Sequence, residues 1–185
     1  MRIEILIAGR GGQGILLMGR ILGKALSRYT NYYVIGSESY AAEVRGGDSR
    51  VDLIISDREE EADFIRVYRA NIAIFMHQAQ LEAYREFVDK NATVFIDKTN
   101  LFDRDLVLGS WRSYVEPYTY IAEKIIGLSR VANMIALGHM ILETRIVDMD
   151  KVEEIIIEEF REDRDLLEKN IKAFRYYSQK RLDLY

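Results

Sequence analysis

Cysteine is absent from the 185-residue sequence, and proline occurs once, at Pro117. Without cysteine the chain cannot form a disulfide, present a thiolate nucleophile or hold an iron–sulfur cluster through thiolates. If the protein takes part in redox chemistry, the electrons must therefore travel on another chain. Pro117 follows the predicted edge strand around Tyr114 and Val115, where a missing amide hydrogen does the least harm to a sheet.

Long apolar runs and a strong excess of one charge are also missing. No segment approaches the roughly 18 unbroken apolar residues of a membrane-spanning helix, and the N-terminus shows neither a leader nor a transit peptide. With 30 acidic and 26 basic residues, the net charge of -4 supplies no basic surface for nucleic acid. The sequence therefore predicts a cytoplasmic protein that binds neither membrane nor nucleic acid.

The length and composition predict one globular domain that spans residues 1–185. Apolar residues make up 49% and charged residues 30% of the chain, as is typical of globular proteins. Strands are predicted at residues 3–8, 32–36, 51–56, 72–76 and 93–96, and helices at 15–29, 78–89, 119–126 and 131–144. The charged segment 151–185 predicts one or two further amphipathic helices.

The order of these segments indicates the fold class. Strands that are apolar throughout and alternate with helices favour a parallel sheet that is covered on both faces. We therefore expect an α/β fold, with a Rossmann-like doubly wound domain, a mainly parallel sheet and C-terminal helices.

Glycines are concentrated directly after the first predicted strand. The segment satisfies the G-x-G-x-x-G spacing and consists of Gly9, Arg10, Gly11, Gly12, Gln13 and Gly14. Between a strand and a helix, the backbone amides of such a turn bind an anion or a pyrophosphate. Glu38, at the end of the second strand, is placed to hold the ribose of a dinucleotide. One hypothesis is therefore an NAD(P)- or FAD-binding module, and the alternative is a turn that needs glycine only for tight packing.

A second glycine segment lies within residues 37–50, which we expect to form a loop or a short helix. Arg45 and Arg50 flank its two glycines, and together they are suited to wrap a carboxylate or a phosphate. Because the segment should leave the carboxyl end of a parallel second strand, we expect it beside the first glycine turn. The predicted crevice, for a cofactor or a partner, comprises Gly9, Gly11, Gly12, Gln13, Gly14, Tyr40, Arg45, Gly46 and Gly47.

Catalytic and metal-binding groups are scarce. The chain has two histidines, and His77 with Asp97 is the only pair for which metal ligation could be argued, so we expect no metal site. Nothing resembles a Ser-His-Asp triad or a lysine nucleophile. We therefore predict no catalytic residue on this chain.

Several short motifs, in order, resemble the gamma subunit of 2-oxoacid:ferredoxin oxidoreductases. The resemblance is greatest to the 2-oxoglutarate type and extends to the pyruvate, 2-ketoisovalerate and indolepyruvate relatives. The motifs are residues 7–17 (IAGRGGQGILL), 38–40 (ESY), 43–47 (EVRGG), 51–56 (VDLIIS), 130–138 (RVANMIALG) and 169–174 (KNIKAF). Each motif alone is weak, but the ordered set is specific and covers nearly the whole chain.

The resemblance implies one subunit of a thiamine diphosphate-dependent enzyme that oxidatively decarboxylates a 2-oxoacid. Electrons would pass through iron–sulfur clusters to ferredoxin, and the acyl group would pass to coenzyme A. The alpha, beta and delta subunits would hold the thiamine diphosphate and the clusters. This chain would then bind no cofactor alone, lack a complete active site, and support assembly and coenzyme A access.

Two alternatives remain open at this point. The chain could be a free-standing NAD(P)- or FAD-binding oxidoreductase or regulator, although the resemblance weakens that hypothesis, or a pure assembly module whose glycine turn binds nothing. A subunit separated from its partners should expose apolar surface, for which Tyr40, Tyr118 and Tyr120 are the candidates. The isolated chain is therefore expected to form a homodimer.

Overall fold

A computed structural model describes residues 1–41, 47–61 and 66–183 of the chain. Its centre is a six-stranded sheet with the order β2-β3-β1-β4-β5-β6. The strands are β1 (Arg2–Arg10), β2 (Tyr33–Tyr40), β3 (Asp48–Ser56), β4 (Ala70–Phe75), β5 (Val88–Asp97) and β6 (Arg112–Glu116). The helices are α1 (Ile15–Tyr29), α2 (Gln78–Tyr84), α3 (Tyr118–Ile121), α4 (Ala132–Thr144), α5 (Met149–Phe160), α6 (Arg164–Phe174) and α7 (Tyr176–Leu182).

Most of the sheet is parallel. The neighbouring strands β1, β4, β5 and β6 pair in parallel, whereas β3 is antiparallel to both β1 and β2. Five strands therefore point in one direction and β3 points in the other. The predicted α/β fold with a mainly parallel sheet is confirmed.

The sheet is covered on both faces, which explains the continuous apolar runs of its strands. In β1, Ile5 and Ile7 face the core formed with α1 and α4 to α6. Leu6 and Ala8 face the opposite core, which contains Leu81 of α2. All four of these β1 side chains are fully buried, and burial of one such Ile or Leu contributes about 1.5–3 kcal/mol.

The region around the second strand differs from the prediction. Residues 37–50 were expected to form a loop or a short helix, but β2 continues to Tyr40 and β3 begins at Asp48. In addition, β2 is not the neighbour of β1, because β3 lies between them. The polar residues Ser37, Glu38 and Ser39 suggested a loop, although an edge strand that is exposed to solvent tolerates such residues well.

The C-terminal segment forms three helices rather than the one or two predicted, and their side chains reach back to the sheet. The Tyr177 hydroxyl of α7 donates a hydrogen bond to Glu116 at 3.0 Å, and the Arg181 guanidinium pairs with Glu143 of α4. Among the described residues, none of the helices combines the length and apolar character needed to span a membrane.

Tyr118 does not belong to the exposed surface for which it was predicted. Its side chain is fully buried, and its hydroxyl lies 2.9 Å from Nδ1 of His139. Tyrosine suits an interior position when its hydroxyl finds a partner, and His139 supplies that partner. The prediction of Tyr118 as an interface residue is therefore wrong, whereas Tyr40 and Tyr120 are exposed.

Candidate functional site

The candidate site is built around the turn that joins β1 to α1. Gly12 and Gly14 have φ angles of 90° and 71°, in the left-handed region that other residues rarely adopt. Gly9 is required for a different reason, because a Cβ at this position would lie 2.6 Å from the Ile15 side chain. Close packing thus accounts for part of the G-x-G-x-x-G spacing.

Gln13 fastens the turn to the carboxyl end of β4. Its Oε1 accepts a hydrogen bond from the Arg10 amide at 2.7 Å, and its Nε2 donates to the Met76 carbonyl at 3.0 Å. The neighbouring strands β1 and β4 are parallel. The chain leaves β1 through α1 toward β2 at one edge of the sheet, and it leaves β4 through α2 toward β5 in the other direction. Open α/β sheets bind ligands at such a position.

The hairpin of β2 and β3 meets the turn from the other side. The Gly11 amide donates a hydrogen bond to the Gly47 carbonyl at 2.7 Å, and a Cβ on Gly11 would lie 3.0 Å from the Tyr40 ring. The structure therefore brings Tyr40 and Gly47 against Gly11. Arg45 and Gly46, which were predicted for the same crevice, lie outside the described residues.

The first turn of α1 faces a small cleft. Gly14 is the N-cap of this 15-residue helix and provides no side-chain cap, so the first backbone amides are suited to bind an anion. A cleft of about 170 Å³ adjoins this turn and is lined by Gly12, Gly14, Leu17, Arg130, Val131, Asn133, Phe160, Leu166 and Asn170. Its donors suit a phosphate or a carboxylate.

Two polar residues of this cleft were not predicted as site residues. Arg130 is exposed and adds a positive charge, whereas Asn133 is buried and donates from Nδ2 to the Gly14 carbonyl at 3.1 Å. Both stand at the start of the apolar segment that forms α4. A polar residue at the beginning of a helix usually indicates a cap, so this signal was too general to place them at the glycine turn.

Glu38 lies away from the glycine turn. Its carboxylate is 3.8 Å from the guanidinium of Arg20 on α1, and β3 separates its strand from β1. In dinucleotide-binding folds, the acidic residue that binds the ribose ends the strand beside the first one. The arrangement therefore gives no support to the prediction that Glu38 holds a ribose at this turn.

A polar network closes the crevice on the side of β5. Asp97 is buried at the carboxyl end of β5 and accepts hydrogen bonds from the Thr99 amide at 3.1 Å and from Asn100 Nδ2 at 2.8 Å. The Thr119 hydroxyl also donates to it. The amide group of Asn100 reaches the Met76 carbonyl as well, at 3.2 Å. Asp97 thus fixes the loops that surround the crevice.

His77, at the end of β4, is the N-cap of α2. Its Nδ1 accepts a hydrogen bond from the Ala79 amide at 3.1 Å. Burial is the main cause that lowers the pKa of His77, and the positive charge of Arg10 is the second. The imidazole is therefore neutral at pH 7. Because Nδ1 is the acceptor, the proton lies on Nε2. The side chain can therefore donate a hydrogen bond but carries no charge.

The chain is similar to known proteins over nearly its whole length. Residues 4–178 match the sequence model of the family described as pyruvate ferredoxin/flavodoxin oxidoreductase. The chain is 37% identical over 179 residues to the 2-oxoglutarate synthase subunit KorC of Methanothermobacter marburgensis, and the match covers 95% of this chain and 94% of that protein.

Solved structures share the fold. The gamma subunit of a keto/oxoacid ferredoxin oxidoreductase from Geobacter sulfurreducens superimposes with a TM-score of 0.77 at 28% identity, over 94% of each chain. The 2-oxoglutarate:ferredoxin oxidoreductase of Magnetococcus marinus, with 2-oxoglutarate, coenzyme A and succinyl-CoA bound, gives a TM-score of 0.79 at 20% identity. That match covers 95% of this chain and 30% of the larger one, and it shows the fold alone.

Proposed function

The chain belongs to the pyruvate ferredoxin/flavodoxin oxidoreductase family as the gamma subunit of a 2-oxoacid:ferredoxin oxidoreductase, and we propose that its enzyme acts on 2-oxoglutarate. The relative from Methanothermobacter marburgensis, which supports this substrate, is named as a subunit of 2-oxoglutarate synthase. The reaction that we propose is the oxidative decarboxylation of 2-oxoglutarate with transfer of the acyl group to coenzyme A.

The division of labour in the proposed complex is the one that the family resemblance implies, and the composition of this chain agrees with it. A cysteine-free chain cannot ligate an iron–sulfur cluster through thiolates, so the clusters that feed ferredoxin would lie on other subunits. We assign the thiamine diphosphate and the clusters to alpha, beta and delta partners. The cytoplasmic location and the extent of the domain, residues 1–185, remain predictions from the sequence.

The observation that supports a direct role in coenzyme A access is the cleft beside the glycine turn. The first amides of α1 have no side-chain cap, Arg130 lines the same cleft, and a diphosphate needs both amide donors and positive charge. The bound coenzyme A in the Magnetococcus enzyme, part of which has this fold, is consistent with the proposal. The predicted crevice residues from Gly9 to Gly14 would hold the phosphates, and Tyr40 and Gly47 would border them.

Kinetics of the assembled enzyme test this proposal. The chain alone should not turn over 2-oxoglutarate, whereas addition of the alpha, beta and delta subunits should give activity. In that assembly, Arg130→Ala should raise the KM for coenzyme A about tenfold or more, because loss of a charge-assisted hydrogen bond costs about 1.5–3 kcal/mol. The KM for 2-oxoglutarate should not change.

The control is Arg104→Ala, because Arg104 is an exposed arginine that lines a different cleft. Unchanged kinetics in Arg130→Ala would instead favour a pure assembly module. Arg45→Ala tests the sequence prediction for the neighbouring segment in the same assay. A free-standing NAD(P)- or FAD-binding module has no comparable support, because Glu38 lies away from the turn.

The end of the sheet that carries the glycine turn, where the parallel strands have their carboxyl ends, also exposes aromatic side chains. Tyr40 ends β2, Phe102 follows β5, and Tyr120 follows β6, and each is more than half exposed. Aromatic side chains commonly anchor protein interfaces, so we propose that this end of the sheet faces the catalytic subunits. Homodimer formation by the isolated chain, through the same surface, stays a prediction that sedimentation at increasing concentration would test.

A further inference from the structure

The two edges of the sheet differ in how well they are protected. The edge strand β6 has five residues, carries charges at both ends, and is followed by Pro117. It is also bound by α7, through Tyr177 to Glu116, and by α4, through Glu143 to Tyr114. These are devices that prevent the addition of another strand.

The opposite edge strand, β2, carries one charged residue, Glu38, and has none of the other devices. It has eight residues of the sequence YVIGSESY, without proline or lysine, and its pairing with β3 continues without a bulge from Tyr33 to Tyr40. An exposed, regular strand of this length is a ready template for an added strand.

The backbone groups that point outward from β2 can be identified from two hydrogen bonds. The Ala41 amide donates to the Asp48 carbonyl at 2.9 Å, and the Gly11 amide donates to the Gly47 carbonyl at 2.7 Å. Hydrogen-bonded pairs alternate along an antiparallel ladder, so the odd-numbered residues of β2 bond to β3. The even-numbered residues direct both N–H and C=O outward. These are Val34, Gly36, Glu38 and Tyr40, and no described residue pairs with their backbone.

An apolar cleft of about 340 Å³ lies beside this edge, on the face of α1. Glycines line both of its walls, at Gly19 and Gly23 of α1 and at Gly36 of β2. Val34 and Leu53 supply apolar surface within it, and the ion pair of Arg20 with Glu38 also lines it. Side chains of an added strand that point to this face would therefore meet an apolar cleft.

A polar cleft of about 560 Å³ lies beside the same edge on the opposite face. Its charged lining consists of Glu38, Arg50, Asp52 and Arg66. Arg50 pairs with Asp52 at 2.7 Å, whereas Arg66 is exposed and forms no ion pair within the described part of the chain. Side chains of an added strand that point to this face would therefore meet the positive charge of Arg66, which no described residue neutralises.

We propose that β2 is a docking edge for an extended segment of another protein chain, which adds to the sheet as a seventh strand. Alternate side chains of an added strand point to opposite faces, so this segment carries apolar residues toward the α1 cleft and acidic residues toward Arg66. Backbone hydrogen bonds supply affinity in such complexes, and the alternate side-chain pockets supply specificity.

A second copy of this chain fits the edge less well. On an antiparallel copy, side chains that share a face lie opposite each other, so Glu38 of the copy would enter the apolar cleft or approach Glu38 itself. The acidic side chain would therefore lie on the face where, among the described residues that line the cleft, the positive charge is Arg20 and is already paired with Glu38. The inference does not depend on the proposed reaction, because strand addition is independent of coenzyme A binding.

Two synthetic peptides test the inference on the isolated chain. One is a capped decapeptide of alternating valine and glutamate, and the other alternates valine and lysine. In two-dimensional NMR, the glutamate peptide should shift the outward-pointing amides of Val34, Gly36, Glu38 and Tyr40. The lysine peptide should bind about tenfold or more weakly, because it brings like charge to Arg66.

Matched variants separate the contributions of the backbone and of the clefts. Glu38→Pro removes one outward amide and should abolish binding, whereas Glu38→Ala keeps the amide and should bind. Gly23→Leu should fill the apolar cleft and weaken binding about tenfold, while Gly23→Ala should not, since its Cβ makes ordinary contact with Leu53 at 3.6 Å. Arg66→Glu should reverse the preference between the peptides.

Several results would overturn the inference. Among them are the absence of β2 amide shifts at millimolar peptide, equal binding of both peptides, and equal binding of Glu38→Pro and Glu38→Ala. Self-association that shifts the same amides in the absence of peptide would assign the edge to a second copy instead. Arg66→Glu is an exposed substitution, so the charge test remains decisive if a Gly23 variant folds poorly.

Discussion

Asn133 and Gly14, separated by 119 positions in the chain, are packed so closely that a side chain at position 14 would overlap Asn133. The Asn133 amide nitrogen donates to the Gly14 carbonyl at 3.1 Å, and a Cβ on Gly14 would overlap that nitrogen. The Asn133 oxygen accepts a hydrogen bond from the Met134 amide at 2.9 Å. A side chain at the start of α4 thus sets the position of the glycine turn and of the first turn of α1.

We predict that Gly14→Ala destabilises the protein more than Gly12→Ala. Both glycines have positive φ, so each substitution costs about 1 kcal/mol or more in backbone strain. A Cβ on Gly12 meets nothing within 4 Å, whereas one on Gly14 must displace Asn133. Chemical denaturation of the two variants measures the difference.

The Asn133→Ala background provides the control for this prediction. Removal of the larger side chain should relieve the overlap, so the extra cost of Gly14→Ala over Gly12→Ala should shrink in that background. An equal cost for the two alanines in the wild-type chain would show that contact with Asn133 does not restrict the turn.

Gln13→Glu should destabilise the chain by about 1–3 kcal/mol, although the two side chains have nearly the same shape. Gln13 both accepts from the Arg10 amide and donates to the Met76 carbonyl. A carboxylate can still accept, but it removes one of the two donors of the Met76 carbonyl, which keeps only Asn100, and it turns a second acceptor oxygen toward that carbonyl. It also places a negative charge beside the proposed anion site.

Gln179→Glu is the matched control, because Gln179 is exposed on α7 and should change stability by less than about 0.5 kcal/mol. Denaturation midpoints of the two variants test the prediction. If both variants matched the wild-type chain, the attachment of the turn to β4 would not depend on Gln13.

Helix α1 and the inner strands were predictable from the sequence because local patterns determine them, whereas the helix predicted at 78–89 ends at Tyr84 and β5 begins at Val88. β1 and β4 are buried on both faces, which requires continuous apolar runs, and α1 shows its buried side chains at helical spacing. The glycine turn could also be placed, since it stands between such a strand and such a helix.

The arrangement around β2 was not predictable, because it depends on tertiary pairing. An edge strand needs no apolar face, so Ser37, Glu38 and Ser39 gave no strand signal. Nothing local indicates that β3 inserts between β2 and β1. For the same reason the contact of Asn133 with Gly14 was missed, since it joins two segments that lie far apart in the sequence.

Tyr84→Phe should reduce stability by about 1–2 kcal/mol, because the hydroxyl of Tyr84 donates to Asp48 at the start of β3. Burial and, as the second cause, that hydrogen bond raise the pKa of Tyr84 to about 12, so the hydroxyl remains a donor at neutral pH. Tyr120→Phe, on an exposed side chain, should have little effect. Equal denaturation midpoints for the two variants would contradict the prediction.

The last prediction concerns the dependence of stability on pH, through His139. This side chain is 5% exposed, stacks on Tyr177 with ring centroids 4.0 Å apart, and shares a hydrogen bond of 2.9 Å between its Nδ1 and the Tyr118 hydroxyl. Burial lowers its pKa to about 4, although the carboxylates of Glu143 and Glu116 oppose the shift and Arg181 adds to it. The folded chain therefore keeps the imidazole neutral where the unfolded chain protonates it.

The sign of the effect follows from proton linkage. Below the ordinary histidine pKa of about 6.5, the unfolded state binds a proton that the folded state does not, so stability falls with falling pH. The loss should begin near pH 6.5, end near pH 4, and amount to at most about 3 kcal/mol from this one group. Denaturation midpoints measured across this range should show it.

His139→Gln should be less stable at pH 7.5, because it loses the ring stack, but its stability should fall less steeply between pH 6.5 and 4.5. His77→Gln is the control, since the pKa of His77 is also lowered but its ring is less buried, so it should remove a smaller part of the slope. Parallel pH profiles for the wild-type chain and His139→Gln would show that His139 does not carry the dependence.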